Sequence, residues 1–338
     1  MAKEKTGDVD QLVDRGLQAV DDGELETAES ILDDARGIVG ENHPRALHLA
    51  GMIAWSKGEL ERANGYLMQA ADTGNDRADI QLDCAECLFA GDEIDEAEAQ
   101  VRAALALPNI TRGQQDDGRL LLAQIRLAAD DADEALEVLG EIDPSLHGHA
   151  AYLSTRGAAQ LSSGKLEAAI KDFEGALQQE PDDADLHYQL GLAYRAAEQI
   201  DKANASMLRV LELDGAEDGE TTEPSFAEVQ ELRSRLEDVL EQLPDPLLRL
   251  LANAPITVQA RATVEQVKAG LDPRSAVCFT GTAKQGEEEA ELTGIVVMRD
   301  LLPPEPEDEE EVETELFYGL MDELQGFFGR DDLVLAES

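Results

Sequence analysis

Over the first two thirds of the chain, apolar residues recur three and four positions apart, the spacing of a helix with one buried stripe. The stripes come in pairs. A small residue in the first helix of each pair is followed twelve positions later by an alanine in the second: Gly16 and Ala28, Gly51 and Ala63, Ala85 and Ala97, Ala123 and Ala135, Gly157 and Ala169, Gly191 and Ala203. Successive first members lie 35, 34, 38, 34 and 34 residues apart. Small residues at a crossing let two backbones approach. One pair cannot bury its stripe alone, so neighbouring pairs must stack. The pattern predicts an all-α solenoid of six helical hairpins over residues 9–217. Gly23, Gly58 and Gly164, or Asp92, Asp130 and Glu198 in their place, fall where a turn residue is needed. The 38-residue interval predicts a longer loop over 108–117 (PNITRGQQDD).

The period then changes. The acidic stretch DGAEDGETTEP (214–224) has no apolar rhythm and predicts an interdomain linker at 218–224. Residues 225–338 read as a smaller α+β domain. A helix from Phe226 ends before Pro244 and a short helix follows it. ITVQ (256–259), AVCFTG (276–281) and ELTGIVVMRDLL (291–302) have the β-branched content of strands. The proline–acid run from Glu305 to Glu315 reads as a solvated loop, and a helix closes the chain.

Two units carry a resemblance. AAYLSTRGAAQLSSGKLEAAIKDFEGALQQEPDD (150–183) has Gly157, Gly164, Ala169, Phe173, Ala176 and Pro181, and the next unit has Leu190, Gly191, Tyr194 and Ala203. These residues resemble the tetratricopeptide repeat (TPR). The resemblance implies a superhelix that holds protein segments on a concave groove formed by the first helices. The positions facing the groove include Leu17, Val20, His48, Met52, Trp55, Glu86, Phe89, Gln124, Leu127, Tyr188 and Arg195. The set is mostly apolar and suits an apolar or amphipathic peptide. The paired lysines and asparagines by which some relatives hold a C-terminal carboxylate are missing. The same residues equally suit packing within a tightly wound superhelix or beneath a second domain.

Residues 224–338 resemble the minimal zincin-like metallopeptidases of bacteria. The likeness rests on FAEV…LP before a strand, on GIVVMRDLL, and on FYGLMDELQGFFGRDD in place of the helix carrying HEIGHHFG and an acidic pair. It implies a zinc held by two histidines at i and i+4, with a glutamate between them activating bound water. Here the three positions read Asp322, Glu323 and Gly326. Glycine offers no ligand, and the five histidines (His43, His48, His147, His149 and His187) all precede the region. A catalytic zinc takes three protein ligands. The domain is therefore expected to hold no metal or other cofactor and to be a pseudoenzyme, with Glu323 a solvated helix residue.

Charge narrows the partners. Asp and Glu number 74 against 27 Lys and Arg, a formal net charge of −47. That charge repels nucleic-acid phosphates and anionic membranes. The hydrophobic share, 43%, is enough for a folded core. No apolar run reaches bilayer length and MAKEKTGDVDQ has no apolar stretch, so the expected location is the cytoplasm. Cys84 and Cys87 sit mid-helix, away from the N-terminal position that activates a thiol, and read as packing residues; Cys278 falls in a predicted strand. His147 and His149 read as loop residues. The expected function is a protein-interaction scaffold or adaptor, of open oligomeric state. The alternatives are a repeat-bearing zinc metallopeptidase and a chaperone-like adaptor for apolar client segments.

Overall fold

The computed structural model describes residues 2–217, 222–251, 253–284, 290–303 and 309–329. It divides into two compact units, Met1–Gln179 and Glu180–Ser338. Among the described residues, no helix is long and apolar enough to cross a membrane.

The first unit consists of five hairpins: α1 (Ala2–Asp21) with α2 (Leu25–Val39), α3 (Pro44–Ser56) with α4 (Leu60–Thr73), α5 (Ala78–Ala90) with α6 (Ile94–Leu105), α7 (Arg112–Ala128) with α8 (Ala132–Leu139), and α9 (Ala150–Ser162) with α10 (Leu166–Leu177). The small residues do the work their spacing implies. A Cβ added at Gly16 would stand 2.5 Å from Leu49 Cδ2, at Gly51 2.6 Å from Leu67 Cγ, and at Gly157 2.9 Å from Phe173 Cε1. The alanines opposite them, Ala28, Ala63 and Ala169, are fully buried. Overlapping apolar clusters tie neighbouring hairpins together from α1 to α9.

Every hairpin turns the same way. Gly23, Gly58 and Gly164 have φ of +73°, +75° and +70°, and Asp92 and Asp130 adopt +62° and +58° in the equivalent place. The next amide then closes the Schellman bond, as in Glu59 N–H to Ala54 O (3.0 Å) and Lys165 N–H to Gln160 O (2.8 Å).

The loop expected over 108–117 is mostly helix. Thr111 caps α7: its hydroxyl accepts the Gln114 amide at 3.3 Å, and its own amide donates to Gln114 Oε1 at 3.1 Å. α7 has 17 residues where α3, α5 and α9 have 13, so the four residues by which the interval exceeds 34 form one extra turn. At the other end of the unit, α1 begins ahead of residue 9.

The second unit opens with a sixth hairpin, α11 (Ala184–Ala196) and α12 (Ile200–Glu217), turned through Glu198 at φ +57°. The compact units thus divide ahead of this hairpin. Of the segment 218–224, residues 218–221 lie outside the described residues. Then follow α13 (Phe226–Glu241), α14 (Asp245–Leu251), β1 (Ile256–Gln259), α15 (Val264–Lys268), β2 (Val277–Thr282), β3 (Glu291–Met298) and α16 (Glu309–Phe328). The sheet order is β1-β3-β2, with β1 parallel and β2 antiparallel to β3. In β3, Ile295 and Val297 join the core formed with α13, α14 and α16. Val296 and Met298 join Met207, Val267 and Cys278 on the other face. Cover on both faces explains why β3 reads as a continuous apolar run. β2 bulges between Thr280 and Gly281, where φ is +132° and a Cβ would meet Glu291 O at 2.0 Å.

The run expected to be a loop over 305–315 is helical from Glu309, and residues 305–308 lie outside the described residues. Glutamate is a good helix former, and negative charge suits a helix N-terminus. Val312 and Leu316 are buried on that helix and anchor it.

Candidate functional site

The first helices of the first unit set repeat-equivalent residues in rows. Asp10, Arg45 and Asp79 form one row. The Arg45 side chain is only 1% exposed; its Nε lies 3.3 Å from Asp10 Oδ1 and its Nη1 3.2 Å from Asp79 Oδ2, and it also pairs with Asp14. Arg77 reinforces the row, at 3.1 Å from Asp10 and 2.8 Å from Asp79. Burial raises the pKa of the Asp79 carboxyl, but the Arg77 hydrogen bond and the guanidinium charges outweigh it and hold the group below the usual carboxylate range.

His48 belongs to this network and does not face an open groove. Its ring is fully buried, with Nδ1 3.1 Å from Arg45 Nη1 and Nε2 2.5 Å from Asp83 Oδ2. A guanidinium only donates, so Nδ1 accepts and Nε2–H donates to Asp83. His48 is a strut between hairpins. Sequence reasoning missed this row, although aspartate, arginine and aspartate at matching repeat positions were a readable signal.

The other expected groove residues of the first unit divide by chemistry. Val20, Met52 and Trp55 meet with Asp21 and Ser56 around an open hollow of about 270 Å³. Met52, Trp55 and Phe89 are half-buried against one core cluster, and Leu17 against its neighbour. Leu127 rests half-buried on a third cluster, while Gln124 Nε2 reaches Thr155 Oγ1 at 3.5 Å. Glu86 is exposed. Its carboxyl pKa is raised by desolvation, then by the charges of Asp83 and Asp117. That of Asp117 is raised by desolvation, then by Asp116.

Tyr188 and Arg195, in the sixth hairpin, contact the C-terminal part of their own unit. The Tyr188 hydroxyl donates to Asp272 Oδ2 at 3.0 Å, under the Arg274 guanidinium 5.2 Å from the ring centre. Arg274 bridges Asp185 at 2.5 Å and Asp214 at 2.8 Å. Arg195 Nη2 approaches Gly270 O at 3.5 Å. Intramolecular packing therefore covers much of this helix face.

Asp322, Glu323 and Gly326 line a cleft of about 700 Å³ in the second unit, with Arg195, Phe279 and Phe327 among its other walls. Glu323 is not the solvated residue its sequence context suggests. Its Oε2 accepts the Phe279 amide of β2 at 2.8 Å, and burial pushes its carboxyl up to about 7. The residues do not fit a zinc site. Gly326 has no ligand, and among the described residues no three His, Cys, Asp or Glu side chains converge.

The cysteines are free and buried. Desolvation pushes the thiols of Cys84 and Cys278 up to about 12 and that of Cys87 to about 11, which suppresses the reactive thiolate. His147 stacks on Tyr152 at 4.3 Å and its Nε2 bonds the Ile142 carbonyl at 3.1 Å, so it packs the loop.

Two family models match the chain, one described as TPR repeat over residues 157–197 and one as tetratricopeptide repeat over 184–217. Among curated proteins, none matches. Among solved structures, pilF of Pseudomonas aeruginosa is 14% identical with a TM-score of 0.52, covering 62% of this chain and 93% of that one. A chain of the APC/C hetero-tetramer Cut9-Hcn1 is 18% identical with a TM-score of 0.50, covering 58% of this chain. The alignment spans 38% of that chain's length. At such identities the likeness is one of fold. The matched segments, within residues 157–217, fall in the fifth and sixth hairpins as tetratricopeptide repeats, and the four hairpins before them keep the same spacing and turn geometry.

Proposed function

We propose that this protein is an interaction scaffold whose first unit holds a segment of another polypeptide against its first-helix face. The observation that carries this reading is the hollow at Val20, Met52 and Trp55, with Phe89 at the position equivalent to Trp55 in the next hairpin. Half-buried aromatic side chains beside a hollow are what a partner's anchor residue completes. The neighbouring Arg45–His48–aspartate network holds the three helices in register, so the face is preorganised. We read residues 225–338 as a zincin-like region that carries out no catalysis and contributes shape only. In this reading Glu323 braces β2, and the working location is the cytoplasm. The net charge of −47 supports a protein partner over nucleic acid or membrane.

The test uses the full chain with a purified partner complex. Trp55→Ala and Phe89→Ala together should weaken binding tenfold or more, about 1.4 kcal/mol or above, while the first unit melts as a folded body. Unchanged affinity in a folded double variant would remove the groove from the account.

A further inference from the structure

The charges on the first-helix face fall into two groups. Arg45 and Arg77 are held by Asp10, Asp14 and Asp79, and His48 by Asp83. Glu86 and Asp117 differ: among the described residues no hydrogen bond or ion pair reaches either carboxylate. Both are pushed above the usual carboxylate range, first by desolvation and then by nearby acids. Both side chains are exposed and stand beside other acids, Asp83 and Asp117 for Glu86 and Asp116 for Asp117, so a cation placed there meets unpaired negative charge.

These acids share their face with the apolar hollow. Glu86 and Phe89 lie three apart on α5 and project together. Glu86 occupies the repeat position of Met52, and Phe89 that of Trp55. One acidic side chain, Glu86, thus stands in an otherwise apolar stretch of this face, beside Phe89 and next to the Met52–Trp55 pair of α3.

We propose that the segment held by the first unit is amphipathic and basic, its apolar side chains seating beside Trp55 and Phe89 while lysines or arginines reach Glu86 and Asp117. This rests on the groove reading given under the proposed function. An acidic segment is opposed both by these two residues and by the net charge of −47.

Trp55 is the sole tryptophan, so its emission reports occupancy of the hollow directly. The full chain is titrated at physiological ionic strength with two synthetic peptides of one amphipathic pattern, one of leucine and lysine and the other of leucine and glutamate. The leucine–lysine peptide should shift Trp55 emission and bind at least roughly tenfold tighter than its acidic counterpart. Glu86→Gln with Asp117→Asn should weaken it by about tenfold. Asp34→Asn with Glu61→Gln, the same charge change placed on second helices, should weaken it by less than about twofold. If both peptides bind equally, or both double variants weaken binding alike, the basic partner is wrong and the groove reading stands. If neither peptide moves the emission, the groove reading and this proposal fall together.

Discussion

Arg45 is the residue through which the first three hairpins are locked, so its removal tests the physics of the preorganised face. Arg45→Met keeps an unbranched apolar stem and deletes the guanidinium. Asp10, Asp14 and Asp79 are then left close together without their shared cation. Breaking a fully buried pair costs about 3–5 kcal/mol, whereas an exposed pair is worth about 1 kcal/mol or less. Here the cation is 1% exposed and the three aspartates are 36%, 65% and 33% exposed. Arg77 also continues to hold two of them. The expected loss lies between the limits, at about 2–3 kcal/mol. Part of its sign with pH follows from Asp79, whose carboxyl is held down mainly by Arg77 and to a smaller extent by Arg45. A carboxyl held below its ordinary value stabilises the fold above the unfolded pKa, and that contribution fades as pH falls through the folded value. The deficit of the variant should therefore be largest at neutral pH and shrink towards about pH 3. Urea unfolding followed by Trp55 emission reads the first unit selectively. A deficit below about 0.5 kcal/mol, or one of equal size at both pH values, would refute the view that the row is a stabilising lock.

Three further outcomes are expected. Glu198→Gly relieves a left-handed residue at φ +57° and should raise stability by roughly 0.5–1 kcal/mol in thermal melts. Thr111→Ala removes the cap of the extra turn in α7 and should cost about 1 kcal/mol, with loss of amide-exchange protection confined to that helix start. Glu323 is raised to about 7, so the stability it gives is present below the unfolded value of 4.5 and is lost as pH rises through about 7. Glu323→Gln should abolish that loss, worth at most about 3 kcal/mol, when melting temperatures are compared at pH 5 and pH 8.

The repeat was legible because its signals are local and recur. A turn residue and two small residues at a fixed offset give the same geometry in every hairpin, including the non-glycine turns at Asp92, Asp130 and Glu198. The interval around Pro108 reads as a loop because its proline, glycine and polar residues are loop formers, whereas the Thr111–Gln114 capping box starts α7 inside it. His48 was misplaced for a different reason. Its surroundings are built by residues 34 or 35 positions away, and reading one helix at a time conceals the row. Tyr188 and Arg195 depend on residues beyond 260, which no repeat period can foretell. Glu323 shows the same limit, since its burial exists only because α16 lies against β2.

A foreign polypeptide held on the first-helix face beside Trp55 and Phe89 must touch residue 89. The most direct measurement places a photo-crosslinking amino acid at position 89, and separately at position 61 on the second helix α4, and maps the joined residues by mass spectrometry in an intact partner complex. Capture at position 89 is expected at several times the yield at position 61, joined to a segment combining apolar and basic side chains. Equal yields at the two positions, or none at position 89 while the complex persists, would contradict it.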